Sequence, residues 1–198
     1  MQQQPGARPK TRALRGRAKH MKRDPASART VSLRHLDLAR TRGLSYAMVR
    51  TLALLRHGRA SGQGPDAALT PEGLQQLRRL ASALRAQDWR PDVIVTSPFA
   101  RALESARTVA AGLGITRAPL VLDELIPDSE PLDALQAIDA AAPGSASILV
   151  VSHLPLVARL ALELTGEEVS FTPATLAEIR DGGDGEAHLV RRLSPDEL

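Results

Sequence analysis

The chain has 198 residues, 43% of them hydrophobic, and no cysteine; that suffices for one sizeable core and excludes disulfides, thiolate nucleophiles and cysteine-bound zinc. The net charge of +4 averages two unlike parts: residues 1–47 carry twelve Lys and Arg against two Asp, while fourteen basic and twenty acidic residues leave the rest at −6. Arg56, His153, Pro155 and Arg159 break the apolar runs well short of the ~18 residues that a membrane span needs.

Residues 1–47 open with QQQPGARPK, scatter Pro and Gly, and show helical apolar spacing only around Val31, Leu33, Leu36 and Leu38. They read as a basic, mostly disordered leader with room for one short helix. Three explanations compete for it. It suits an arm for anionic polymers, but lacks the interleaved aromatics that stack on bases. It suits an Arg-rich, acid-poor targeting segment. Preferred is a stretch upstream of the true start, because Met48 begins MVRTLALL and enters the first strand directly; residues 48–198 are then the domain.

From Thr51 onward, apolar runs at 51–55 (TLALL), 92–96 (DVIVT), 119–122 (PLVL) and 147–151 (SILVV) alternate with segments of helical period at about 71–88, 98–113, 130–141 and 155–165. Near-continuous apolar strands are the mark of a parallel sheet buried on both faces by helices. In the first helix Leu74, Leu77, Leu80, Ala81 and Leu84 form one stripe, with Arg78, Arg79 and Arg85 facing water. Thr70-Pro71 and Ser97-Pro98 each read as a hydroxyl cap before a proline at the first helical position. Gly112 and Gly114 end the second helix. The tail TLAEIRDGGDGEAHLVRRL predicts an antiparallel hairpin around a Gly-Asp turn. The expected fold is a three-layer α/β/α sandwich, mostly parallel, with this hairpin closing one edge.

Ligands of open α/β sheets sit beyond the carboxyl ends of the strands. Those ends carry Arg56-His57-Gly58, then Ser97-Pro98 leading to Arg101, then Ser152-His153. Taken singly, Arg101 suits a surface arginine and each histidine a satisfied structural residue. Converging on one rim, they suit a phosphoryl group: arginines give fixed charge and bidentate geometry, and a neutral imidazole gives a nucleophile near neutral pH. Gly58 is expected to let the backbone approach the ligand. SGQGPD, residues 61–66, lacks the Lys-Ser/Thr of a nucleotide loop. The five histidines, His20, His35, His57, His153 and His188, never stand at metal-ligand spacing, and there is no Gly-x-Ser-x-Gly elbow.

LLRHGRA, LTPEG, TSPFARALESA and VVSHLPLVARL, in this order, resemble the motifs of the histidine phosphatase superfamily, which shares its fold with cofactor-dependent phosphoglycerate mutases. The likeness spans about residues 50–193. SPFARA, SHLPLVARL and FTPATLAEI are similar to the small bacterial phosphohistidine phosphatases of SixA type, which have no helical cap over the site. The resemblance implies that His57 accepts the phosphoryl group, that Arg56 and Arg101 bind its oxygens, and that His153 is the second histidine of the pocket. It implies no metal and no cofactor, a cytoplasmic location, and a histidine phosphotransfer protein or domain as partner. The body is expected to bind neither nucleic acid nor membrane and to be a monomer. Glu124, in LDELIP, is the candidate general acid. Arg59 departs from the acidic residue common after Arg-His-Gly in SixA-like sequences. A small-molecule phosphomonoesterase and a non-catalytic phosphoryl-binding adaptor are the rival functions.

Overall fold

The computed structural model describes residues 50–182 and 186–198; the leader and the Gly-Asp tip of the hairpin lie outside them. In chain order the elements are β1 (Thr51–Arg56), α1 (Pro71–Ala86), β2 (Val93–Thr96), α2 (Ala100–Gly112), β3 (Leu120–Val121), a 3-10 turn (Asp123–Leu125), α3 (Pro131–Ala141), β4 (Ser147–Ser152), α4 (Leu156–Thr165), β5 (Leu176–Asp181), β6 (Ala187–Leu193) and a 3-10 turn (Pro195–Glu197). The strands form one sheet in the order β3-β2-β4-β1-β5-β6. β1, β2, β3 and β4 are mutually parallel, and β5 and β6 run antiparallel at one edge. None of the helices among the described residues is long and apolar enough to cross a membrane.

The pleat sorts each strand's residues between two cores. Ala53, Leu55, Leu149 and Val151 face α1 and α2, against Leu77, Leu80, Leu84 and Val109. Leu54, Ile148 and Val150 face α3 and α4, against Ile138, Leu156 and Leu160. The expected three layers and edge hairpin are thus present. One strand differs from expectation: the 119–122 run shrinks to two paired residues, Leu120 and Val121, both exposed. β3 is the sheet's outer edge and pairs only with β2, so its apolar residues lack the double cover that β1 and β4 enjoy.

Of the two expected caps, one is realised. Thr70 Oγ1 accepts the Gly73 amide at 3.0 Å, with Pro71 opening α1. Ser97 is not a cap: α2 begins at Ala100 with Phe99 at its N-cap, and the serine hydroxyl faces the rim instead.

The turn leaving β1 is held against α1 by two glycines. A Cβ on Gly58 would lie 2.8 Å from the Gly73 carbonyl oxygen, and a Cβ on Gly73 would collide with the Arg59 backbone. Replacing a helical glycine by alanine normally stabilises by up to about 1 kcal/mol. Gly73→Ala is expected to reverse that sign and lower stability by about 1–3 kcal/mol, since the obstructing atoms are backbone and must shift. The midpoint of urea unfolding measures it.

Candidate active site

The carboxyl ends of β1, β2 and β4 bring the predicted residues to one rim. His57 follows β1, Ser97 follows β2 and precedes the helix bearing Arg101, and His153 follows β4. All four are buried, Arg101 included at 6% exposure despite its permanent charge. The histidine rings lie 5.0 Å apart, tilted by 56°. Phe99 packs on His153 at 5.0 Å, and the Arg101 guanidinium sits 5.1 Å from the Phe99 ring centre.

The polar contacts fix the state of His57. Its Nδ1 lies 2.7 Å from the Gly58 carbonyl oxygen, which can only accept, so Nδ1 carries the proton and Nε2 keeps its lone pair. Arg101 Nε–H donates to that Nε2 at 3.1 Å. Gly58 therefore serves His57 through its carbonyl. Its amide donates to Ser105 Oγ at 3.1 Å, and its missing side chain makes room for α1.

Arg101 stands in the first turn of α2, where the helix dipole opposes a cation. It is held there by the loop before α1: Nη1 donates to the carbonyls of Gln63 at 3.2 Å and Gly64 at 2.7 Å. Helix and loop are tied twice more. Pro65 O accepts the Ala100 amide at 2.9 Å, and Glu104 accepts the Leu69 amide at 2.9 Å. Ser105 Oγ closes the circuit by donating to the Arg101 carbonyl at 2.6 Å.

His153 Nε2 meets Ser97 Oγ at 2.8 Å, while its buried Nδ1 has no protein partner. Arg56, half-buried, donates from Nη1 to the Phe171 carbonyl at 2.8 Å and keeps a buried Nε–H without a partner. Glu124 is exposed on the first 3-10 turn. That turn touches the rim through Leu125, whose carbonyl accepts the Ser152 hydroxyl at 2.7 Å. Arg59 pairs at 3.0 Å with Glu72 across exposed surface, a contact worth little. No group of three or more His, Asp or Glu among the described residues could hold a metal ion.

Burial lowers the His57 pKa to about 4; the Gly58 bond opposes this, and Arg101 and Arg56 add to it. Burial, then His57, Arg101 and Arg56, lower that of His153 to about 3. Both imidazoles are therefore neutral at pH 7. The native state refuses protons that the unfolded chain takes up near 6.5, so stability falls as the pH drops below 6.5 toward 3. Titration of the ring nitrogens by NMR should place the His57 inflection near 4 and that of His153 lower; an inflection at 6.5 for either would contradict the geometry.

Sequence reasoning expected the histidines and arginines at one rim, where the structure gathers them, and missed the groups that hold them there. Ser97 was hidden by its cap-like Ser-Pro context, and Gln63 and Gly64 act through the backbone, which leaves no mark in a sequence. Ser105, four residues after Arg101, carried a helical-spacing signal that could have been used.

Comparison with known proteins identifies the family. Residues 52–126 match the pattern of the histidine phosphatase superfamily (branch 1). Phosphohistidine phosphatase SixA of Escherichia coli is 33% identical over 153 residues, covering 73% of this chain and 94% of that protein. A structure of the protein histidine phosphatase SixA complexed with tungstate superposes with a TM-score of 0.69 at 30% identity, over 75% of this chain and 99% of that one. A phosphoserine phosphatase from Entamoeba histolytica, 17% identical, shares the fold with a TM-score of 0.61 over 75% of this chain and 99% of its own. With nearly the whole of SixA matched and its motifs gathered at one rim, the chain belongs to the histidine phosphatase superfamily and is a hydrolase of that family.

Proposed function

We propose that the protein removes phosphoryl groups from phosphohistidine on another protein, a histidine phosphotransfer domain, through a phosphohistidine formed on His57. The observation that carries this reading is the paired contact of His57. One ring nitrogen is fixed as a donor to Gly58 O, and the other is a buried, unprotonated lone pair facing Arg101.

When a phosphoryl group enters, its oxygen takes over the Arg101 Nε–H and frees the lone pair. His57 Nε2 then attacks phosphorus in line: the P–Nε2 bond forms, the P–N bond to the substrate imidazole breaks, and that ring, protonated beforehand on its other nitrogen, leaves as neutral imidazole still carrying that proton. Water next attacks phosphorus, the P–Nε2 bond breaks, and inorganic phosphate departs while His57 returns to neutral. Arg101 and the unpartnered Nε–H of Arg56 stabilise the equatorial oxygens, which is most of what phosphoryl transfer asks of a protein. Ser97, by donating its hydroxyl to His153 Nε2, puts the proton of that ring on Nδ1, where it serves as a further donor. A bound dianion favours the protonated form of His153, which burial alone opposes.

A protein substrate suits the open rim. Each of the four α-helices among the described residues runs between two strands and packs into one of the two cores of the sheet, which leaves none of them to lie across the rim. An imidazole leaving group also needs far less acid assistance than an alkoxide, which agrees with the exposed Glu124. The test is turnover of a phosphorylated histidine phosphotransfer domain against p-nitrophenyl phosphate, for the wild type and Glu124→Gln. The wild type should favour the phosphoprotein. Glu124→Gln should keep that activity within about twofold and lose more on the ester, as expected when the leaving group alone decides the need for an acid. Activity on the ester alone, or equal losses on both substrates, would count against the reading.

A further inference from the structure

The groove between α1 and α2 plays no part in the chemistry above. It encloses about 560 Å³ and is walled by Arg78 and Arg85 from α1 and Arg107 from α2, with the hydroxyls of Ser82 and Thr108 between them. All three arginines are exposed. Elsewhere on the described surface Arg50, Arg59, Arg159, Arg180, Arg191 and Arg192 each pair with a carboxylate, and Arg79, Arg90 and Arg117 do not; the three groove arginines form no ion pair among the described residues either, and they line one cleft together. The one acid in the groove, Glu104, accepts the Leu69 amide. At its lower end Arg85 is shared with a smaller depression lined by Arg90 and Asp88. A domain whose residues 48–198 sum to −6 thus gathers unpaired positive charge in one cleft.

The place of the groove matters as much as its charge. α1 and α2 both start at the rim and descend along the same face of the sheet, in contact where Gly112 meets Ala81. Glu104 lies one turn below Arg101, about 4.5 Å along the helix, and Arg107 about 9 Å. One macromolecule can therefore reach the phosphoryl pocket and the groove together. Nucleic acid fits poorly: no aromatic residue lines the cleft, and stacking platforms are what single strands require. We propose that this groove docks an acidic segment of the protein that carries the phosphohistidine, steering that partner onto the rim by charge. The assignment of substrate rests on the function proposed above; the groove itself is tested separately.

In the full chain, the triple variant Arg78→Glu, Arg85→Glu, Arg107→Glu should lower kcat/KM on an acidic phosphorylated histidine phosphotransfer domain at least about tenfold, mainly through KM, and flatten its dependence on salt. Activity on p-nitrophenyl phosphate should be unchanged, which also reports that the variant is folded. The milder Arg→Gln triple serves where charge reversal impairs folding. Unchanged kcat/KM with wild-type salt dependence would overturn the proposal. Binding of fluorescent polyglutamate, followed by anisotropy, needs no turnover and so separates the two readings. The wild type should bind it at least about tenfold more tightly than the variant, even if phosphohistidine proves not to be the substrate. Equal binding by the two, or tighter binding of an RNA oligonucleotide of equal charge, would overturn docking of an acidic polypeptide.

Discussion

His57→Ala will abolish the phosphoenzyme and lower turnover of a phosphohistidine protein by at least about 1,000-fold, as loss of a covalent nucleophile does. The reason is local. Among the described residues His57 is the group at the rim that combines a fixed N–H on one side with an unprotonated lone pair on the other, the Gly58 carbonyl defining the first and Arg101, whose Nε–H a phosphoryl oxygen can draw off, pointing at the second. His153 cannot take over, because its Nε2 is engaged with Ser97. Trapping the intermediate with radiolabelled substrate checks this: the label should withstand alkali, be lost in acid, and be absent from the variant. Label on serine would refute the assignment, and Ser97 and Ser105, both buried at the site, are where it would be sought.

Arg101→Lys will cost about 100-fold or more in kcat/KM, although it keeps the charge. The planar guanidinium does two things at once: Nη1 holds the carbonyls of Gln63 and Gly64, while Nε–H points at the reacting nitrogen. An ammonium group has no such fork and cannot span both. Arg101→Ala should lose still more, and it carries a second signature. Arg101 is among the causes that lower the His57 pKa, so its removal should raise the His57 inflection above 4. An unchanged inflection in the alanine variant would show that the two side chains do not interact as the geometry requires.

The fold was legible because its signals are repetitive and local. Unbroken apolar runs marked β1, β2 and β4, and a helical stripe through Leu77, Leu80 and Leu84 marked the face of α1 that the sheet covers. The run at 119–122 misled because composition cannot tell an edge strand from a central one. In the site, charged and titratable residues at or just after strand ends stood out against the apolar runs before them, so His57, Arg56, Arg101 and His153 could be expected at one rim, where the structure gathers them. Ser97 could not. A serine before proline is a local cap signal, and its bond to His153 joins residues 56 apart in sequence. Arg59 likewise showed its partner, Glu72 on α1, only once the turn was folded.

The loop that grips Arg101 does so with carbonyl oxygens, and every amino acid supplies one. Residues 61–66 are therefore free to drift in identity while the arginine stays where it is, so that alignment of relatives by residue type would pass over the loop as unremarkable. Its length is another matter, because Pro65 must still meet Ala100 and Leu69 must still meet Glu104. The grip asks more of the residue count than of the side chains: substitutions within 61–66 leave the carbonyls of Gln63 and Gly64 in place, whereas removal of one residue shifts them off Arg101.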